Sequence, residues 1–279
     1  MSGTTNDQTL AAYKTRVAAL TPTATPARES NSVTENPPFI STTGSAANYL
    51  SLDPAKSTRA ADGGTPVSVT VDYLNNTRST TKPDIGAYEG PFVPYDLGVS
   101  ALVMPTSPLC PNGSQTITAM VKNFSAGSVT TSAAVVLKVT ATRTKPNSST
   151  VALSYSVPTG TTIAAGGTLD VTFVPAQDFS ASGTYTLSNL TTMLTDGQTP
   201  ASTFVESSST NNALSPAPSL TVRPNATASA GNSPAAICPG NGYTTTGSFG
   251  GSATSATYTS SGTGSFSNGG VIDSSTPSV

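Results

Sequence analysis

Six of the fourteen acidic residues fall between positions 53 and 96: Asp53, Asp62, Asp72, Asp84, Glu89 and Asp96. Carboxylates gathered this way admit three chemistries. A pair flanking a bond can do acid/base work on a glycosidic linkage. Several on turns can hold calcium. A single aspartate at a turn can bond the backbone two residues on. The spacing matches no calcium loop, so turn formation accounts for these residues with the fewest assumptions. Calcium is the sharper alternative, and catalysis the remotest. Glu206, Asn211 and Asn212 form a second polar group, read either as a hairpin turn or as an ion site between modules.

Nucleophilic chemistry finds no support. Serine and threonine abound, but the chain has no histidine to act as their base. Lys14, Lys56 and Lys82 sit in no partner motif. Gly166-Gly167 and Gly250-Gly251 precede no helical pattern, which argues against a phosphate cradle. Neither Cys110 nor Cys238 has a basic neighbour to make it a thiolate nucleophile. Both sit in one recurring pattern: Ser107-Pro108-Leu109-Cys110-Pro111-Asn112-Gly113 returns as Ser233-Pro234 through Ile237-Cys238-Pro239-Gly240-Asn241-Gly242. Equivalent positions in tandem modules lie well beyond the roughly 7 Å that a disulfide spans, which argues against a bond between them.

Composition narrows the class. Charged residues make up 9% of 279 and the net charge is −2. That leaves no footprint for nucleic acid and no basic patch for a membrane surface. No apolar run approaches the roughly 18 residues of a membrane span. The first residues lack the basic and apolar regions of a secretory leader, so either Met1 is not the natural start or an export signal lies upstream in a longer protein. Hydroxyl side chains supply the solubility, and threonine favours strands.

The elements that carry these residues are mostly short. Leu10, Tyr13, Val17 and Leu20 share one helical face, which predicts a packing helix over 6–20, capped by Asn6 and stopped at Thr21-Pro22. Short strands follow at Phe39-Ile40 and Tyr49–Leu52. Val67, Val69 and Val71 alternate with polar residues and predict a half-buried strand. Thr80–Glu89 ends this turn-rich region, and Gly90-Pro91-Phe92-Val93-Pro94 is a stiff connector. Beyond it, alternation predicts strands near 97–103, 117–121, 135–139, 153–157, 169–173, 185–187, 203–205 and 220–222, enough for a two-sheet sandwich. Further strands are expected at 243–248 and 254–259. Asn-x-Ser/Thr sequons occur at Asn75, Asn112, Asn123, Asn147, Asn189 and Asn225, as chance allows in such a composition.

Three stretches carry resemblances. Asn31–Ile40, Tyr49–Pro54, and Arg78 with Pro83-Asp84-Ile85-Gly86-Ala87-Tyr88-Glu89 resemble the closing coils of a right-handed parallel β-helix, as found in large secreted surface proteins of Bacteroidetes-type bacteria. Tyr95–Val99, Thr116–Phe124 and Val205-Glu206-Ser207 with Asn211-Asn212 resemble the cell-adhesion-related (CARDB-like) immunoglobulin-like modules. The stretch after Arg223-Pro224 resembles PKD-like or immunoglobulin-like repeats of the same proteins. These resemblances imply a mainly β chain: residues 1–93 as β-helix coils and cap, 94–222 as an immunoglobulin-like β-sandwich, and 223–279 as an incomplete tandem module. They also imply a secreted or cell-surface location, in which bacterial sequons would go mostly unused.

The expected function is a non-catalytic spacer and adhesion segment with no cofactor beyond the calcium alternative. Its partners would be surface glycans, other surface proteins and neighbouring modules of a longer chain. Two alternatives stand beside it. One is an accessory carbohydrate-binding region of a polysaccharide-active enzyme, against which the lack of tryptophan weighs. The other is a filament subunit that self-assembles by strand donation across the unfinished last module.

Overall fold

The computed structural model describes residues 10–20, 29, 32–198, 201, 203–231, 244, 246–259 and 271–273. The chain is mainly β, and among the described residues the paired strands are all antiparallel. Among the described residues there is one helix, α1 (Leu10–Leu20). Asn6, the expected cap, lies outside them. Of the apolar face expected on α1, Val17 is buried, whereas Tyr13 and Leu20 are exposed. The guanidinium of Arg16 instead lies 5.2 Å from the centre of the Tyr13 ring.

Residues 32–93 contain no continuous strand. Phe39 bridges Leu52, and Ile40 N–H donates to Ser51 O while Leu50 N–H donates to Ser41 O, both at 2.8 Å. The two short segments predicted there do run side by side. The strand expected at 67–71 does not form. Val67, Val69 and Val71 are exposed, and the stretch keeps only a bridge from Val71 to Thr77. Alternation makes a strand only where a neighbour takes the ladder and a core takes the apolar face, and neither flanks these valines. Parallel pairing in this region is confined to isolated bridges, such as Ser57 with Val93.

Residues 95–222 follow the predicted alternation closely. The strands are β1 (Leu97–Val103), β2 (Asn112–Gln115), β3 (Thr118–Asn123), β4 (Val129–Thr130), β5 (Val136–Thr144), β6 (Thr150–Ser156), β7 (Thr162–Ile163), β8 (Thr168–Thr172), β9 (Gln177–Phe179), β10 (Gly183–Thr195) and β11 (Ser219–Val222). One sheet has the order β1-β3-β8 and the other β11-β10-β5-β6; β2-β9 and β4-β7 are small pairs beside them. Leu97, Val121 and Val171 of the first sheet share a single core with Leu137, Leu187 and Leu220 of the second. Along β5 every second residue is buried over nine positions, the period of a strand with one face on a core. The strand expected at 203–205 is reduced to a bridge between Thr195 and Thr203. Phe204 enters the core, but Val205 is 90% exposed, so no sheet continues past it.

Beyond residue 222, β12 (Thr227–Ser229) pairs with β13 (Ser248–Gly250), and β14 (Ser255–Thr257) pairs with β15 (Val271–Asp273). The strand expected at 254–259 is thus present as β14. Most of the strand expected at 243–248, and Cys238, lie outside the described residues. Cys110 is exposed and unbridged. No helix of the described residues is long and apolar enough to cross a membrane.

Candidate functional site

The six carboxylates separate into three settings. Asp53 closes its own turn, accepting from Ala55 N–H at 2.9 Å with Lys56 Nζ at 3.6 Å. Asp62, Asp72, Asp84 and Glu89 converge on one lock. Asp96 belongs to the sandwich.

In the lock the carboxylate oxygens are taken up by backbone amides. Asp72 Oδ1 accepts from Leu74 and Asn76 N–H, both at 2.8 Å. Its Oδ2 accepts from Asn76 Nδ2 at 3.0 Å and from Glu89 N–H at 2.8 Å. Asp84 accepts from Asp62 N–H at 3.0 Å and Gly90 N–H at 2.9 Å. Glu89 accepts from Ser79 N–H at 2.9 Å and Asp84 N–H at 3.0 Å, and pairs with Arg78 Nη1 at 3.3 Å. Arg78 reaches on to the carbonyls of Asp84 and Gly86 at 3.2 and 2.6 Å. Asp62 contributes its amide, in a left-handed backbone conformation (φ 53°), rather than its carboxylate.

Burial pushes the Asp72 carboxyl up, but the amides of Glu89, Asn76 and Leu74 and the Asn76 side chain outweigh it and hold the group down at about 2. Asp84 moves the other way. Burial raises its pKa against the amides of Gly90 and Asp62, and the charges of Glu89 and Asp62 add to the rise. Neither carboxyl is presented to solvent as an acid/base pair would be. Among the described residues no three His, Cys, Asp or Glu side chains are gathered to hold a metal ion.

A second arrangement, with no signal in the sequence, joins the two regions. The Glu35 carboxylate accepts from Thr58 Oγ1 at 2.8 Å, Arg59 N–H at 3.0 Å and Tyr95 Oη at 2.9 Å. The Arg59 guanidinium sits 4.3 Å from the centre of the Phe204 ring and 4.0 Å from Asp196 Oδ2. Burial, together with the charge of Glu35 and the bond to it, raises the Tyr95 hydroxyl well above its ordinary range. Burial lowers the Arg59 pKa, against the attraction of Asp196 and Glu35. Beside this group, Ser57 N–H donates to Ser128 O at 3.0 Å and Ser128 N–H to Ala55 O at 2.9 Å. Gly127 permits that approach: a Cβ there would lie 2.8 Å from Lys56 C and from Ser57 N. The connector at 90–94 is therefore bridged from both sides and is not a free joint.

The third setting is the corner where β1 starts. Glu206 Oε2 accepts from Leu97 N–H at 2.7 Å, and Asn212 Nδ2 donates to Glu206 Oε1 at 3.3 Å. Asn211 Nδ2 donates to Asp96 Oδ1 at 2.7 Å. Asp96, expected with the other carboxylates, is brought here by β1. The loop carrying the asparagines is pinned by Val99 N–H to Asn211 O at 3.0 Å and Thr192 N–H to Asn212 O at 2.9 Å. Gly98 allows this: a Cβ there would lie 2.4 Å from Asn211 O. Burial pushes the Glu206 carboxyl up to about 7, against the bond from Leu97 N–H, and the Asp96 charge adds to the rise.

Two surface features complete the inventory. Tyr49, Tyr73 and Tyr88 line an apolar groove of about 590 Å³ with Phe39, Leu52 and Ile85. Asn123, one of the sequons, is fully buried, its Nδ2 bonded to the carbonyls of Gly127, Ile163 and Ala164. The other sequon asparagines are exposed. No protein-family model and no curated protein matches the chain.

Proposed function

We propose that this chain is a non-catalytic spacer and adhesion segment of a secreted or surface-displayed bacterial protein. In this reading residues 1–93 are the closing coils and cap of a parallel β-helix. Residues 94–222 are an immunoglobulin-like module of the cell-adhesion-related kind, and 223–279 belong to a following one. The observation that carries the reading is the use made of Asp72, Asp84 and Glu89. Their oxygens are spent on backbone amides, an arrangement that holds a turn-rich chain in shape and leaves no paired acid and base facing a substrate. The junction built on Glu35 and Arg59 favours the same reading, because a spacer transmits force best when its units are fixed to one another. Hydroxyl-rich strand faces with little charge resist electrostatic sticking and still offer hydrogen bonds to glycans.

The test is turnover of a panel of surface polysaccharides by the purified chain, alongside binding of chain-coated beads to the same polymers. Binding without turnover is expected. Turnover that disappears in Asp84→Asn or Glu89→Gln would overturn the proposal.

A second reading, an accessory carbohydrate-binding region, rests on the groove lined by Tyr49, Tyr73 and Tyr88. Aromatic faces are the usual partners of sugar rings, and tyrosines supply them where tryptophan is absent. Retardation of the chain in polysaccharide-loaded gels, abolished by Tyr73→Ala with Tyr88→Ala, would favour it. Retardation that survives both changes would remove the groove from consideration.

A further inference from the structure

We propose that the corner formed by Asp96, Glu206, Asn211 and Asn212 is a calcium site. The observation that points to an ion is a pair of atoms: Asn211 Oδ1 and Asn212 Oδ1 are both buried and have no hydrogen-bond donor. A buried amide oxygen without a partner is destabilising, and here two adjacent residues carry one each. Turning the amides over does not repair this. The exchange of Oδ1 and Nδ2 would set one oxygen 2.7 Å from Asp96 Oδ1 and the other 3.3 Å from Glu206 Oε1, acceptor against acceptor. Oxygens crowd like that around a shared cation.

The donor set selects the ion. Two carboxylates and two amide carbonyls are hard oxygen ligands carrying two negative charges, which suits calcium and not zinc or copper. Only two of the four are acidic, so the corner falls outside any group of three His, Cys, Asp or Glu. Calcium accepts an irregular shell of about 6–8 oxygens, and water would complete the set. Magnesium's near-ideal octahedron is a poorer match for a pinned loop. Asp96 and Glu206 bring two carboxylates to one corner beside the asparagine loop, and a divalent cation would neutralise their repulsion. The backbones of the two asparagines are held by bonds to β1 and β10, so binding requires only that both amides turn their oxygens toward Asp96 and Glu206, in place of the Nδ2 atoms that face them now. The ion would tie the start of β1 to the loop ahead of β11 and stiffen the module next to its junction with residues 32–93.

The test uses the whole chain, treated with chelator and titrated with calcium by calorimetry and thermal unfolding. Terbium serves as a luminescent stand-in. The chain has no tryptophan, and Tyr95 adjoins Asp96, so emission excited through tyrosine reports this corner. One calcium with a dissociation constant of about 10⁻⁴–10⁻³ M is expected, in the range of extracellular modules. A rise in Tm with calcium, and terbium emission displaced by calcium, should accompany it. Asn211→Ala with Asn212→Ala should reduce calcium affinity at least tenfold. Tyr95→Phe, which leaves all four ligands in place, should abolish most of the tyrosine-excited emission while keeping the calcium heat. It therefore locates the ion even if the double variant does not fold. No calcium heat at about ten times the upper affinity bound would overturn the proposal. So would emission that survives Tyr95→Phe, which would put the ion elsewhere, such as beside Asp53.

Discussion

Between residues 32 and 93 the buried side chains are few and mixed: Leu52, Ala61 and Pro83 beside Ser57, Thr58, Asp72 and Asp84. Between 95 and 222 they are mainly aliphatic and aromatic, with Leu97, Ile117, Val121, Leu137, Phe173, Phe179 and Tyr185 almost wholly shielded. The first region draws its shape from carboxylates that satisfy amides one at a time. The second draws it from strand ladders closed over a shared apolar core, where each fully buried large side chain contributes about 1.5–3 kcal/mol. The difference teaches where each region is vulnerable. A polar lock fails when an acceptor is removed or protonated; a core fails when volume is removed.

The largest expected effect tests the core. Phe173→Ala should cost about 3–5 kcal/mol by deleting a buried aromatic from the space between the sheets. Denaturant unfolding followed by tyrosine fluorescence should show the main transition moved to lower denaturant. Simultaneous collapse of the Asp72–Glu89 lock, read from hydrogen exchange at the amides of Asp84 and Glu89, would erase the distinction between the regions.

Glu89→Ala comes next. It strands the amides of Ser79 and Asp84 and takes from Arg78 its carboxylate partner, at a cost of about 2 kcal/mol. Fast exchange should appear throughout 72–90 with little change in the main transition. A shift of that transition equal to the one caused by Phe173→Ala would mean that the lock and the core are a single unit.

Gly127→Ala probes the joint. The added Cβ meets backbone at 2.8 Å on the facing segment, and the two segments must part at a cost of about 1–2 kcal/mol. Limited proteolysis should then cut near 90–94, whereas the parent chain should resist cleavage there. Unchanged resistance would show that the Glu35–Arg59 contacts hold the joint alone.

The smallest effect is acid sensitivity. The Asp72 carboxyl lies below its ordinary 3.8 when folded, at about 2. Its contribution is fully present above 3.8 and is lost as pH falls through about 2, because protonation is then easier in the unfolded chain. Asp84 runs in the opposite sense: its raised pKa favours the folded state as pH falls, which blunts the loss. Amide exchange at Leu74, Asn76 and Glu89 should accelerate as pH falls over this window, after correction for the intrinsic pH dependence of exchange. In Asp72→Asn that pH dependence should vanish. A pH dependence retained in the variant would assign the effect to another carboxylate.

The alternation from residue 97 onward was enough to place most strands of the sandwich. A period-two pattern describes the residue itself, in or out, and β5 obeys it at nine consecutive positions. The turn-forming role expected of the aspartates was readable at Asp53 and Asp72, each of which accepts from an amide two residues on; Asp84 instead takes the amides of Asp62 and Gly90. Three things lay beyond the sequence. Val67, Val69 and Val71 carry the same alternation as β5 and form no strand, because pairing depends on a neighbour that local pattern does not specify. Glu35, Arg59, Tyr95 and Asp196 meet only through the packing of two regions, and no spacing relates them. Asp96, grouped by sequence with the acidic residues before it, is carried away by β1 to meet Glu206 and the two asparagines. Local chemistry acts over a few residues and can be read along the chain; the partners of a buried charge are chosen by the three-dimensional path of the backbone, which only the tertiary structure decides.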